Sequence, residues 1–135
     1  RFLNRFGSLE VWAMPELVSQ HKDEVLIVQF TSQKILSDVL IAQIGRELLE
    51  LADEADGKML LDFQGVTFMS SAMIGKIVLL NKKCKANKTV IKLCNIASSI
   101  MEVFEITRLN KVFSIYDSVE DAVKAFGKKG GGWFG

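Results

Sequence analysis

The strongest constraint on this chain is an alternation between two periods. Short apolar runs rich in β-branched residues recur along it, and stretches whose apolar residues repeat at helical spacing fall between them. The run Glu24-Val25-Leu26-Ile27-Val28-Gln29-Phe30 reads as a buried strand, and Lys58-Met59-Leu60-Leu61-Asp62-Phe63 as a second. Thr89 to Ile96 reads as a third strand, and Phe113-Ser114-Ile115-Tyr116 as a short edge strand. Between the first two, Leu40, Ile44, Leu48 and Leu51 form one helical stripe, widened by Ile41. Ser37 or Asp38 can cap that helix and Gly57 supplies its stop. A second helix starts near Ser70-Ser71, with Ile74, Ile77, Val78, Asn81 and Cys84 or Lys85 facing inward. Ser99-Ile100-Met101-Glu102 and Ser118-Val119-Glu120-Asp121 both fit the S/T-x-x-E/D pattern of a helix start. Strands alternating with helices imply an α/β domain. The expectation is a single domain with a mostly parallel central sheet of four to five strands packed against about four α-helices. A length of 135 residues is too short for an eight-unit barrel.

The expected domain spans residues 24–126. Residues 1–23 carry Phe2, Leu3, Phe6, Leu9, Val11 and Trp12, and read as a leading strand or an extension. Residues 127–135 are glycine-rich and read as a flexible tail holding Trp133 and Phe134. With 17 basic and 16 acidic residues the net charge is +1, so the broad positive field of a nucleic-acid binder is missing. No apolar run approaches the ~18 residues of a membrane span. Cys84 and Cys94 lack zinc-ligand spacing and read as packing residues in a reducing cytoplasm.

The motifs of several chemistries are absent. The single histidine, His21, sits in a polar segment and implies no catalytic triad. Neither the P-loop nor the dinucleotide-binding glycine pattern occurs, and neither does a zinc-protease motif. No cofactor and no metal are expected. Glu47, Glu50, Asp53, Glu54 and Asp56 read as a solvated helix face and its exit. Asp62, at the end of a buried strand, is the one acidic residue where α/β folds place functional groups; a turn residue capping local amides is the plainer reading. A phosphoacceptor receiver domain would also need an acidic pair after the first strand to hold magnesium, and Phe30-Thr31-Ser32-Gln33 offers none.

The stretch Leu60-Leu61-Asp62-Phe63-Gln64-Gly65-Val66-Thr67-Phe68-Met69-Ser70-Ser71-Ala72-Met73-Ile74-Gly75 carries more information. It resembles the central signature of STAS domains, the fold of bacterial anti-sigma factor antagonists. In that pattern a strand ends in D-[LF], a G-V-x-F-[MIL] segment follows, and D-S-S-G-[LM]-G opens a helix. Val103 to Phe113 resembles the family's V-x-x-L-T-x-L-x-x-x-F element, and Ser118 to Phe126 its terminal helix. The resemblance implies a non-enzymatic regulatory module of the bacterial cytoplasm that binds a serine-kinase anti-sigma factor of the GHKL type in a partner-switching pathway. The kinase phosphorylates a serine at the start of the second helix, and a PP2C-type phosphatase reverses this. The alternative is a STAS scaffold subunit of a larger signalling assembly without its own phosphoswitch. A homodimer is also compatible; nucleic acid and membrane are not implied as partners.

The match departs at one atom. Aligned without gaps, the usual phosphoacceptor falls on Ala72, which has no hydroxyl, and the following glycine on Met73. Three readings stay open. Ser71 takes the phosphate; or Ser70 caps the helix while Ser71 bonds local backbone; or the domain is an unswitched binder. The expected partner-binding surface comprises Thr67, Phe68, Met69, Ser70, Ser71, Ala72, Met73 and Lys76, with Gln33 and Lys34 beside them. Met69 and Met73 are flexible apolar contacts if exposed and core filler if buried. On the exposed reading, Ser71→Asp and Met73→Asp both abolish partner capture without unfolding the domain.

Overall fold

The structure, a computed structural model, describes residues 15–128. Most of the N-terminal segment and the tail from residue 129 on, with Trp133 and Phe134, lie outside the described residues. In chain order the elements are β1 (Leu17–Lys22), β2 (Val25–Phe30), β3 (Lys34–Ile35), α1 (Asp38–Glu54), β4 (Lys58–Asp62), β5 (Phe68–Met69), α2 (Ser71–Ala86), β6 (Val90–Cys94), α3 (Ser98–Ile106), a 3₁₀ turn (Leu109–Lys111), β7 (Ser114–Tyr116) and α4 (Val119–Lys128). Five strands form the main sheet in the order β1-β2-β4-β6-β7. β1 runs antiparallel to β2, and every other pairing is parallel. This is the α/β architecture that the alternation predicts, with four helices.

The strand sequences follow from where each strand lies. β2 and β4 sit inside the sheet with both faces covered, so Val25 to Val28 and Met59 to Leu61 are buried without alternation. β1 is an edge strand and buries only Leu17. On one face, Leu26, Val28, Met59, Leu61 and Leu93 pack against Ile41, Ile44, Leu48 and Leu51 of α1, Ile77, Leu80 and Cys84 of α2, and Phe104 of α3. On the other face α4 packs Ala122 and Phe126 against Val25, Ile27, Leu60 and Cys94.

Two sequence expectations are corrected here. α3 starts at Ser98, its N-cap is Ala97, and no side chain caps it. Ser99 lies inside that helix and donates its hydroxyl to the Thr67 carbonyl at 3.2 Å, so the S-x-x-E pattern there is not a cap. In α2 the inward position taken for Val78 belongs to Leu80: Leu80 is fully buried and Val78 only partly. The other two predicted caps form, with Leu40 N donating to Ser37 Oγ and Asp121 N to Ser118 Oγ, both at 3.1 Å.

Candidate functional site

The candidate site lies at the carboxyl ends of β2, β4 and β6, where α/β sheets place their functional groups. Asp62, the last residue of β4, is 1% exposed. A buried carboxylate needs donors, and three converge on it. Gln29 Nε2 reaches Oδ2 at 2.8 Å from the β2 side, and Asn95 Nδ2 reaches Oδ1 at 2.8 Å from the β6 side. Gln64 N closes the turn onto Oδ1 at 3.1 Å. Asp62 therefore ties three strand ends together and starts the turn after its own strand, which is the capping role the plainer sequence reading gave it. Asn95 reaches it from a left-handed backbone conformation (φ 57°), which asparagine tolerates better than most residues. Beside this cluster the Cys94 thiol is pushed up to about 12 by burial, with the Asp62 charge adding to the effect, so it is a protonated packing group.

The turn after Asp62 is fixed by a bond from Val66 N to the Phe63 carbonyl at 2.9 Å, with Gly65 at φ 89° supplying the left-handed position. The chain then meets the segment after β2. β3 and β5 form a two-stranded parallel ribbon that pairs Lys34 with Phe68 and Ile35 with Met69. The Gln33 carbonyl accepts from Thr67 N at 2.8 Å and Phe68 N at 3.3 Å, and the Ile35 carbonyl from Ser70 N at 3.0 Å. Sequence reading brings Gln33 and Lys34 beside Thr67 and Phe68 but does not show the ribbon that holds them there. Two residues that organise the site, Gln29 and Asn95, and two exposed apolar residues beside it, Leu36 and Val39, belong to no motif that the sequence displays. The polar Gln29 inside an otherwise apolar strand was the available signal for one of them.

At the mouth of α2 the two serines divide their roles. Ser70 is the N-cap, with φ −73° and ψ 162°, and its Oγ accepts from Met73 N at 3.4 Å. Ser71, the first helical residue, is exposed and its hydroxyl makes no hydrogen bond among the described residues. The amides of Ser71 and Ala72 have no carbonyl four residues back within the helix, so Ser71 stands at the positive end of a 16-residue helix. Ala72 is exposed beside it. Phe68 is 49% exposed, and Leu36 and Val39, just past β3, are 51% and 79% exposed.

The methionines are not part of that surface. Met69 is 4% exposed and Met73 is fully buried, both within the core under α1 and α2. Of the two readings for Met69 and Met73, core filler is correct. The reason is geometric: Met69 alternates with Phe68 along β5, so when one faces out the other faces in. Met73 lies beside Ile74 on the inward stripe of α2. The expectation that Met73→Asp leaves the fold intact is withdrawn with it. Thr67, Gln33 and Lys34 are exposed, while Lys76 is half-buried because its stem lies across Gly45 of α1, where an added Cβ would meet Lys76 Cδ at 3.0 Å.

The comparisons agree with this geometry. Residues 16–122 match the model of the STAS domain. A Bordetella bronchiseptica protein named "Putative anti-sigma factor antagonist BtrV" is 27% identical over 94 residues, covering 70% of this chain and 81% of its own. The structure of an anti-sigma-factor antagonist (STAS) domain protein from Planctomyces limnophilus superposes with a TM-score of 0.74 at 26% identity, covering 84% of this chain and 98% of that one. SpoIIAA of Bacillus in its phosphorylated form shares the fold, with a TM-score of 0.62 at 15% identity over 82% of this chain and 98% of its own. No helix among the described residues is long and apolar enough to cross a membrane. With its sheet order, its capped second helix and a family match over most of its length, this chain belongs to the STAS-domain family.

Proposed function

We propose that this chain is an anti-sigma factor antagonist that works by docking, without chemistry of its own, onto a serine-kinase anti-sigma factor of the GHKL type, and that the kinase modifies it at Ser71. The docking face comprises Gln33, Lys34, Thr67, Phe68, Ser70, Ser71 and Ala72, with Leu36 and Val39 extending it and Lys76 at its edge. The observation that carries this reading is the pairing of a half-exposed phenylalanine with an exposed serine, unbonded among the described residues, in the first turn of α2. An apolar centre with a polar rim is the usual composition of a protein-docking patch. Phosphate on Ser71 would be tolerated by the fold, because it would sit beside first-turn amides and the positive helix end. The same group adds about −1.5 to −2 charges to the patch, which disfavours an apolar contact formed there. A PP2C-type phosphatase would return the chain to its binding form.

Ala72, at the position of the family's usual phosphoacceptor, supports a second reading in which the domain binds without a switch, including as a scaffold subunit of a larger assembly. Peptide mapping of the protein isolated from its native cells separates the two. A phosphoryl group on Ser71 is the expected result, and its absence under every growth condition, with the kinase still captured, selects the unswitched binder. Phosphate on Ser70 instead would contradict the division of roles between the two serines.

A further inference from the structure

Beyond Lys76, which borders that docking face, α1 and α2 leave a groove of ≈ 200 Å³ between them, lined by Ala42, Gly45, Arg46, Leu49, Lys76 and Leu79. Gly45 is the reason it has this shape: lacking a side chain, it lets the Lys76 stem lie across α1. The floor is apolar and open, with Leu49 39% and Leu79 50% exposed. Arg46 and Lys76 flank the floor, and neither has an ion-pair partner among the described residues. No acidic residue lines the groove among the described residues; Glu50 of α1 follows Leu49 just outside it, and Asp53, one turn further on, is held by Lys83 at 3.1 Å and Asn87 at 3.3 Å.

Two unpaired cations beside two half-exposed leucines define the chemistry of an occupant. We infer that this groove is a second docking site, and that it takes an acidic amphipathic helix of a partner protein. Apolar anchors one helical turn apart would meet Leu49 and Leu79, and carboxylates on the flanks of that helix would meet Arg46 and Lys76. The inference rests on the reading of the chain as a protein-binding module, but on a different face from Phe68 and Ser71. Binding there adds area that the Phe68 patch alone does not supply. It also selects partners by charge, because a basic helix would meet the same leucines between two like charges.

The test uses two stapled helical peptides as probes, both with leucines at i, i+3, i+4 and i+7, one with glutamates and the other with lysines on the flanks. Fluorescence anisotropy is expected to show the acidic peptide binding about tenfold tighter or more than its basic twin, with the preference shrinking as salt rises. Amide shifts should map it to Gly45, Leu49 and Leu79 and leave Phe68 and Ser71 unmoved. The double variant Arg46→Glu/Lys76→Glu should invert the preference, and Leu79→Asp, at an exposed position, should weaken both peptides without lowering the melting temperature. Equal affinity for the twins overturns the inference, as does mapping of the acidic peptide to Phe68. Concentration-dependent dimerisation that Leu79→Asp abolishes also overturns it, by assigning the groove to a second copy. Because Lys76 borders both surfaces, Leu79→Asp is the variant that separates them: it should leave kinase capture unchanged, whereas loss of the docking face at Phe68 would be read by kinase capture alone.

Discussion

Phe68 and Val90 are almost equally exposed, at 49% and 50%, yet they stand at opposite ends of the sheet and in unlike surroundings. At the carboxyl end, order comes from buried groups: the Asp62 carboxylate joins β2, β4 and β6, and a two-stranded ribbon locks the segment that carries Phe68. At the amino end, order includes solvent-exposed polar contacts, with Lys83 on Asp53 at 3.1 Å and Lys58 near Glu24 at 3.9 Å. The difference teaches how an apolar side chain can be held out in water. Phe68 cannot retreat inward, because β5 alternates and Met69 occupies the inner position. Val90 is the first residue of a strand, pairs with Lys58, and follows a helix whose last turn carries Lys83 and Lys85, so its neighbours along the chain and across the strand are polar. Equal exposure thus has unequal meaning: a patch at one end, a single residue at the other.

Substitutions that disturb the buried layer at the carboxyl end should cost most. Met73→Asp puts an unpaired carboxylate into a fully buried position, and a loss of about 4 kcal/mol or more is expected, enough to unfold a domain of ordinary stability. Circular dichroism would register that loss; a native melting curve would contradict the burial of Met73. Asp62→Ala leaves the Gln29 and Asn95 amides without their acceptor, and urea titration should show about 2–3 kcal/mol of destabilisation. Ser70→Ala removes a helix cap at about 1 kcal/mol, whereas Ser71→Ala should change stability by less than about 0.5 kcal/mol. Equal costs at the two serines would erase the distinction between them. At the amino end the effect should be smallest. The hydrogen bond from Lys83, helped by one from Asn87, holds the Asp53 carboxyl below its usual range. Whatever this contributes is present above the unfolded-state value and lost as pH falls through the lower folded one. Because Asp53 is exposed and screened, Asp53→Asn should leave the urea midpoint at neutral pH unchanged within error.

Most of the fold is legible in the sequence because burial on both faces leaves unbroken apolar runs in β2 and β4, and helical spacing marks α1 unambiguously. The reading fails where the signal is not periodic. β3 and β5 have two residues each, too few to show alternation, and the ribbon they form exists only through long-range bonds to Gln33 and Ile35. α2 is hard to orient because Leu79 is half-exposed while Leu80 is buried, so apolar residues lie on both of its sides. That same ambiguity hid Met73 in the core. The S-x-x-E motif at Ser99 failed for a tertiary reason, since the Thr67 carbonyl claimed the hydroxyl. For the site, the motif placed Thr67, Phe68, Ser70 and Ser71 together. It could not reveal the Gln29–Asp62–Asn95 cluster, whose successive members are 33 residues apart and meet only in the sheet.

The central claim is that the chain acts through the patch around Phe68 and Ser71. The most direct measurement is capture of the proposed partner, a GHKL-type kinase, from native cells by wild type, Phe68→Asp and Val90→Asp, each shown to melt as wild type does. The account predicts that Phe68→Asp loses at least about tenfold in affinity, while Val90→Asp, altered at equal exposure, captures the kinase fully. Equal capture by all three, or loss on Val90→Asp alone, would place the interface elsewhere and contradict the account.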